Sequence, residues 1–164
     1  MVLGAAAWHG VTVRSVLDLG AGTGLWRSVL HDEFPRVRYH GVDASPHACR
    51  RYGHELADLA TWTPRRAADV VICQSVLQYL PDRDCEHAIA SIGRACRGVL
   101  YLEVPTTDDF ATVIDAERTD LDVHRRSGRW YRRRLAADFD ELGAGMWVAR
   151  ARAVPLFELE RPAR

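Results

Sequence analysis

The chain contains no lysine. All 22 of its basic residues are arginine, set against 22 acids, so the formal net charge is zero. An ATP-binding loop of the form G-x-x-x-x-G-K-[ST] therefore has no lysine to complete it. The balanced charge gives no general attraction to nucleic acid or to an anionic membrane. Long apolar runs are missing too: the longest are strand-sized and broken by charge, short of the roughly 20 residues that cross a bilayer. The N-terminus lacks a basic region followed by an apolar core, so no signal peptide is expected. Cysteine is sparse, and Cys49, Cys73, Cys85 and Cys96 form neither a C-x-x-C pair nor a zinc spacing. Three of them fall on apolar faces or in a strand, where cysteine packs as a small hydrophobe. A cytoplasmic protein in a reduced setting, without a bound metal or a membrane partner, is the expectation.

What is present suits one domain. With 164 residues of which 48% are hydrophobic, residues 1–164 can bury a substantial core. Strand and helix signals alternate from residue 11 to about 140, the pattern of an α/β, doubly wound, mostly parallel sheet with helices on both faces. Val13 to Leu19 reads as the first strand and Leu25 to Phe34 as the first helix, stopped by Pro35. Val37 to Asp43 is the second strand. Ser45 caps the next helix with Pro46 at its first position, where a missing amide costs nothing. A short third strand falls near His54 to Ala57, and the apolar, β-rich Asp69 to Cys73 is the fourth. Pro81-Asp82 opens a helix whose stripe Cys85, Ile89, Ile92 and Cys96 is ended by Gly98. Val99 to Val104 is the fifth strand. Tyr131, Leu135, Phe139 and Leu142 make another helical stripe closed by Gly143, and Met146 to Ala151 pairs with Pro155 to Leu159 as a C-terminal antiparallel hairpin.

The most informative run is Val16-Leu17-Asp18-Leu19-Gly20-Ala21-Gly22-Thr23-Gly24-Leu25-Trp26. A buried strand ends next to an acid, and three glycines at alternate positions let main chain approach a ligand where a Cβ would collide. Nicotinamide and flavin folds use G-x-G-x-x-G, so that a pyrophosphate meets the helix N-terminus. Here the third glycine comes one position early. The acid before the first glycine repels phosphate and suits a ligand bearing an ammonium group. Asp43 ends the second strand about 20 residues further on, where an acid commonly accepts hydrogen bonds from both ribose hydroxyls; a loop or helix-capping aspartate is the plainer alternative.

On Asp18-x-Gly20-x-Gly22-x-Gly24 the chain resembles the class I S-adenosylmethionine-dependent methyltransferases. The resemblance implies a Rossmann-like seven-stranded sheet whose last strand inserts antiparallel, with S-adenosyl-L-methionine as cofactor. It implies that Asp18, Gly20, Ala21, Gly22, Asp43, Ala44, Asp58, Leu59, Gln74 and Ser75 hold that cofactor, Asp58 and Leu59 at adenine. Gln74, in the segment Cys73 to Leu80, would meet the methionine portion. Family members usually carry helices before the first strand that close over the cofactor, and only about a dozen residues are available here. The shortened cap would come from Met1 to His9, from the neighbouring subunit of a homodimer, or be missing.

Methyl transfer needs alignment and exclusion of water more than covalent chemistry. A base helps where the acceptor must lose a proton early. Glu103, at the end of the fifth strand, and His124, in the irregular stretch Thr119 to Gly128, are the candidate catalytic residues. With Gln78 and Trp130 they would border an acceptor pocket above the fourth and fifth strands. For His124 a solvated loop residue is the plainer alternative, and His87 reads as packing. Arg125, Arg126, Arg129, Arg132, Arg133 and Arg134 crowd around Trp130 and Tyr131, but acids at Asp108, Asp109, Asp115, Glu117, Asp120 and Asp122 can neutralise them, so a solvated, ion-paired helix face is expected and nucleic acid is not. The expected activity is transfer of a methyl group to an O, N or C atom of a small-molecule acceptor. The alternatives are a nicotinamide-dependent oxidoreductase and a non-catalytic cofactor-binding scaffold.

Overall fold

Strand burial follows position in the sheet. In the computed structural model, which describes residues 2–152, 157 and 158, β4 (Ala68–Gln74) buries six of its seven residues and β1 (Ser15–Leu19) four of five. Such continuous apolar runs belong to central parallel strands covered on both faces. Among the described residues the sheet has seven strands in the order β3 (Glu55–Leu56), β2 (Arg38–Asp43), β1, β4, β5 (Cys96–Glu103), β7 (Met146–Ala149) and β6 (Phe139–Gly143). All pairs are parallel except β5 with β7 and β7 with β6. Strand order reverses between β1 and β4, and ligands of open α/β sheets bind beyond the carboxyl ends at that point.

Alternation along the strands sorts two cores. Val16, Val70, Ile72 and Val99 face α1 (Val2–Trp8) and Leu30 of α2 (Leu25–Glu33). Leu17, Leu19, Val71, Cys73 and Leu100 face α4 (Asp82–Ala95) and α6 (Gly128–Leu135) through Cys85, Ile89, Ile92, Tyr131 and Leu135. The four cysteines are free and buried, and no helix among the described residues is long and apolar enough to cross a membrane. The N-terminal segment is used as core: α1 buries Val2 and Ala6, and its Leu3 and Ala7 line a hollow with Phe34 and Val37, at the end of α2 away from the glycine turn.

Several boundaries differ from the sequence reading. Cys96 is not the last residue of the α4 stripe but the first of β5, and Gly98 lies inside that strand. A Cβ on Gly98 would stand 2.2 Å from the backbone oxygen of Asp69, so glycine serves close strand approach there rather than ending a helix. Phe139 and Leu142 likewise continue no helix. A turn in which Asp138 N–H donates to Leu135 carbonyl breaks the stripe, and both residues belong to β6. The hairpin is therefore β6–β7, joined by Ala144 and Gly145 at φ of 50° and 74°, the paired positive values of a tight primed turn. The proposed return strand Pro155 to Leu159 lies largely outside the described residues. A short helix absent from the sequence reading, α5 (Thr107–Thr112), starts at a capping box between Thr106 and Asp109.

Candidate active site

The glycine turn is built as its spacing requires. Gly20, Gly22 and Gly24 have φ of 74°, 52° and 77°, values that exclude most side chains. Gly24 caps α2, and the amides of Gly20 and Ala21 both donate to Val42 carbonyl, at 2.8 and 3.0 Å. The two leading glycines differ in purpose. A Cβ on Gly20 would lie 2.2 Å from Val76 Cγ2, so the space beside it is taken by the protein itself, whereas Gly22 has only its own turn near that position and presents bare main chain.

Asp43 binds this turn to the next one. Its Oδ2 accepts from Gly22 N–H at 2.8 Å and its Oδ1 from Ser45 N–H at 2.7 Å. Ser45 in turn caps α3 (Pro46–Tyr52), its Oγ accepting from Ala48 N–H at 3.3 Å. Ala44 is exposed beside it. Asp58 arrives at the same edge because Ala57 N–H donates to Asp43 carbonyl at 3.0 Å. Its own carboxylate is exposed and accepts from Ala60 N–H at 2.9 Å, while Leu59 packs into the core.

Asp18 sits inside rather than on an open surface. It is 2% exposed and accepts a hydrogen bond from Tyr39 Oη at 2.8 Å. Burial lifts its carboxyl to about 6, against the lowering pull of the tyrosine hydroxyl and of His54. His54, also buried, places Nε2 3.2 Å from Gly22 carbonyl and leaves Nδ1 without a partner among the described residues. The folded Asp18 keeps its proton up to about pH 6, whereas an unfolded one releases it near 3.8, so the native state binds more protons in between and Asp18 lowers stability as pH rises through that window. We predict that the unfolding free energy of Asp18→Asn, relative to the parent, rises by on the order of 3 kcal/mol between pH 4 and pH 7. Urea unfolding at both pH values measures it, and a constant difference would refute the buried-acid assignment.

At the ends of β4 and β5 four side chains form one network. Gln74 Oε1 accepts from Trp26 Nε1 at 3.0 Å, and Gln74 Nε2 donates to Glu103 Oε2 at 3.1 Å. Tyr101 Oη donates to the same Glu103 oxygen at 2.8 Å, and the Trp26 and Tyr101 rings meet edge to face with centroids 5.9 Å apart. Burial and the neighbouring carboxylate push the Tyr101 phenol up to about 12, so it remains a donor. Trp26 and Tyr101, like Tyr39 and His54, carry no site signal in the sequence. Each reads as an ordinary core aromatic or loop residue, and only the strand pairing reveals its partner. Ser75 follows Gln74 with φ of 56°, a left-handed backbone rare outside glycine, held by its N–H donating to Glu103 carbonyl at 2.8 Å.

His124 is exposed, and its backbone N–H donates to Gln78 carbonyl at 2.8 Å, which docks the loop on the 3₁₀ turn Leu77–Tyr79. The Gln78 side chain is buried, with Oε1 unpartnered among the described residues. His87 is a packing residue as read, its Nε2 3.1 Å from Trp62 carbonyl. The arginine cluster corrects the expectation in two respects. Arg126 is buried, not solvated, and the partners come from elsewhere in the fold: Asp82 for Arg126, Glu141 for Arg132, and Glu86 for Arg134. Trp130 carries Arg134 over its ring at 3.5 Å. Among the described residues no group of three or more His, Cys, Asp or Glu is placed to hold a metal.

Known proteins resemble this chain in sequence and in fold. The sequence profile of a family described as "Methyltransferase domain" covers residues 4–154. A trans-aconitate 2-methyltransferase of Methylobacterium radiotolerans is 40% identical over 76 residues, covering 42% of this chain and 29% of that protein. The chain thus spans less than a third of that relative's length. By structure, the chain is similar to CalS10, an amino pentose methyltransferase from Micromonospora echinaspora solved with S-adenosylmethionine, with 18% identity, a TM-score of 0.65, and coverage of 90% of this chain and 87% of that one. It is also similar to the sugar N-methyltransferase KedS8 from Streptoalloteichus, with 19% identity, a TM-score of 0.68, and coverage of 90% and 84%. These two likenesses show the fold. With the profile spanning nearly all of it, the chain belongs to the methyltransferase-domain family, among the class I S-adenosylmethionine-dependent methyltransferases.

Proposed function

We propose that residues 1–164 act as one cytoplasmic domain that binds S-adenosylmethionine and moves its methyl group to an O, N or C atom of a small molecule. The observation that carries this is Asp43 joined to the bare main chain of Gly22 at the point where strand order reverses. The residues fit the cofactor. Each Asp43 oxygen has one amide partner and a lone pair left for a ribose hydroxyl. Asp58 is free to take an exocyclic amine through its second oxygen. Gln74 keeps one amide hydrogen and one lone pair beyond its two bonds and would meet the amino acid portion, to which the buried Asp18 would contribute charge rather than contact. When bound, the cofactor supplies a strongly electrophilic methyl group on a sulfonium.

The chain's own part is to hold and orient. Glu103 is exposed and kept in one position by Gln74 and Tyr101, so its free Oε1 can take a proton from an acceptor hydroxyl or amine. Gln78 Oε1, a buried oxygen with no donor among the described residues, suits an acceptor that brings one. The acceptors named for the relatives, a tricarboxylate and amino sugars, set the first panel. Titration calorimetry with S-adenosylhomocysteine against NAD, then transfer of labelled methyl to trans-aconitate, an amino sugar and a broader panel, tests the reading. Binding of the homocysteine nucleoside with labelled product is expected. Preference for NAD, or binding without transfer to any acceptor, would sink it.

A further inference from the structure

The face that carries α4 and α6 is incompletely covered. In a doubly wound sheet the β3–β4 connection lays a helix over β1 and β2 on this side, but here residues 57–67 run without one. What remains is a groove of about 860 Å³. It reaches the first residues of three strands, Ser15, Arg38 and Ala68, at the opposite end of the sheet from the glycine turn. Its volume lies in the range of small-molecule sites.

The charge of its lining is one-sided. Arg97 is committed, its Nε donating to Asp69 Oδ1 at 2.8 Å and its Nη1 to Ala67 carbonyl at 2.9 Å. Glu55, the acid in the lining, is 2.9 Å from His40 Nε2. Arg38, Arg65 and Arg66 are exposed, and none has a side-chain partner among the described residues. Three unpaired guanidiniums thus line one concavity of a chain whose net charge is zero. Trp62, half-buried, and Leu17 supply an apolar floor.

We propose that this groove is a second binding site, separate from the methyl-transfer crevice, for a small organic polyanion carrying two or more phosphate or carboxylate groups. Guanidinium groups stay charged at any physiological pH and pair with phosphate and carboxylate through two parallel hydrogen bonds. Trp62 offers a surface for a ring or alkyl portion. The His40–Glu55 pair closes the wall along β2 and β3 and sets an acid there, which favours a discrete ligand over a continuous phosphate backbone.

The test is calorimetry on the full chain at physiological salt with three probes: ATP, citrate and a single-stranded oligonucleotide. Saturable one-to-one binding of ATP or citrate is expected, and which of the two binds distinguishes phosphate from carboxylate. Arg65→Ala/Arg66→Ala is expected to weaken it by about tenfold or more, the loss of charge-assisted hydrogen bonds, and Arg133→Ala on α6 to leave it unchanged. The thermal midpoint reports folding independently of any cofactor. If the double variant unfolds early, Arg38→Ala, a single exposed change on β2, decides by the same loss. Absence of saturable binding by ATP and citrate, undiminished binding in the variants, or binding of the oligonucleotide alone overturns the proposal.

Discussion

Arg126→Ala is expected to lower the unfolding free energy by about 2–4 kcal/mol. Its guanidinium is nearly buried and reaches four acceptors: Asp82 Oδ1 at 2.8 Å, Leu77 carbonyl at 3.1 Å, Tyr131 Oη at 3.3 Å, and Leu80 carbonyl. The Trp130 ring lies 4.8 Å from it. Asp82 is largely solvated and can rehydrate. The cost therefore comes from the Leu80 carbonyl left without this donor, about 1–3 kcal/mol, from the lost bonds to Tyr131 Oη and to a Leu77 carbonyl that keeps the Leu80 N–H, and from the cavity where the guanidinium stood. Arg126→Lys should recover only part, because an ammonium cannot serve acceptors spread around a planar fork. Urea unfolding measures both. A loss below about 1 kcal/mol for the alanine variant would show that the 3₁₀ turn and the start of α4 hold themselves in place. The consequence for the site is direct: that turn follows Gln74 and Ser75 and carries Gln78, on which the His124 loop docks.

Local chemistry was the legible part of this fold. Ser45-Pro46 marks a helix start because the serine oxygen and the proline ring act within one turn, and the helix begins there. The glycine spacing was readable for the same reason, since a positive φ is a property of one residue. Stripes at helical spacing misled at their ends. Phe139 and Leu142 sit three apart, and so short an interval fits a strand end as well as a helix, so tertiary pairing with β7 decides. Thr106 and Asp109 carry a capping signature, but the acidic stretch around them has no apolar periodicity to mark a helix.

The site divides along the same line. Asp43 and Gln74 stand at strand ends, which the alternation of elements already locates. Trp26 and Tyr101, 75 residues apart in the chain, meet only because β1, β4 and β5 are neighbours, a fact of topology that no local spacing expresses. Six arginines in ten residues look like a solvated surface, and nothing in that run sets Arg126 apart. Its guanidinium is held inside by Asp82 and by the carbonyls of Leu77 and Leu80, partners 44 to 49 residues away in the chain.

Asp43→Ala is expected to damage binding and folding together, and the affinity of the folded variant identifies its role. The carboxylate supports two backbone amides, those of Gly22 and Ser45, in different turns. Hydrogen bonds to a charged group contribute about 1.5–3 kcal/mol each, and exposed amides recover part by hydration, so a stability loss of about 1.5–3 kcal/mol is expected. If the same carboxylate also accepts ribose hydroxyls, the affinity for S-adenosylhomocysteine falls by a further ~1.5–3 kcal/mol, between about tenfold and more than a hundredfold. Asp43→Asn separates the effects. An asparagine keeps one acceptor oxygen, but its amide nitrogen faces the N–H of Gly22 or of Ser45 with a donor, so one turn loosens while the other holds. Calorimetry on both variants, at a temperature where each remains folded, gives the affinities, and urea unfolding gives the stabilities. Lost stability with unchanged affinity would make Asp43 a clasp between turns and remove it from the cofactor. A fall in affinity measured on the folded variant is what the ribose role requires, because the clasp alone acts equally on the free and the bound protein and leaves the affinity unchanged.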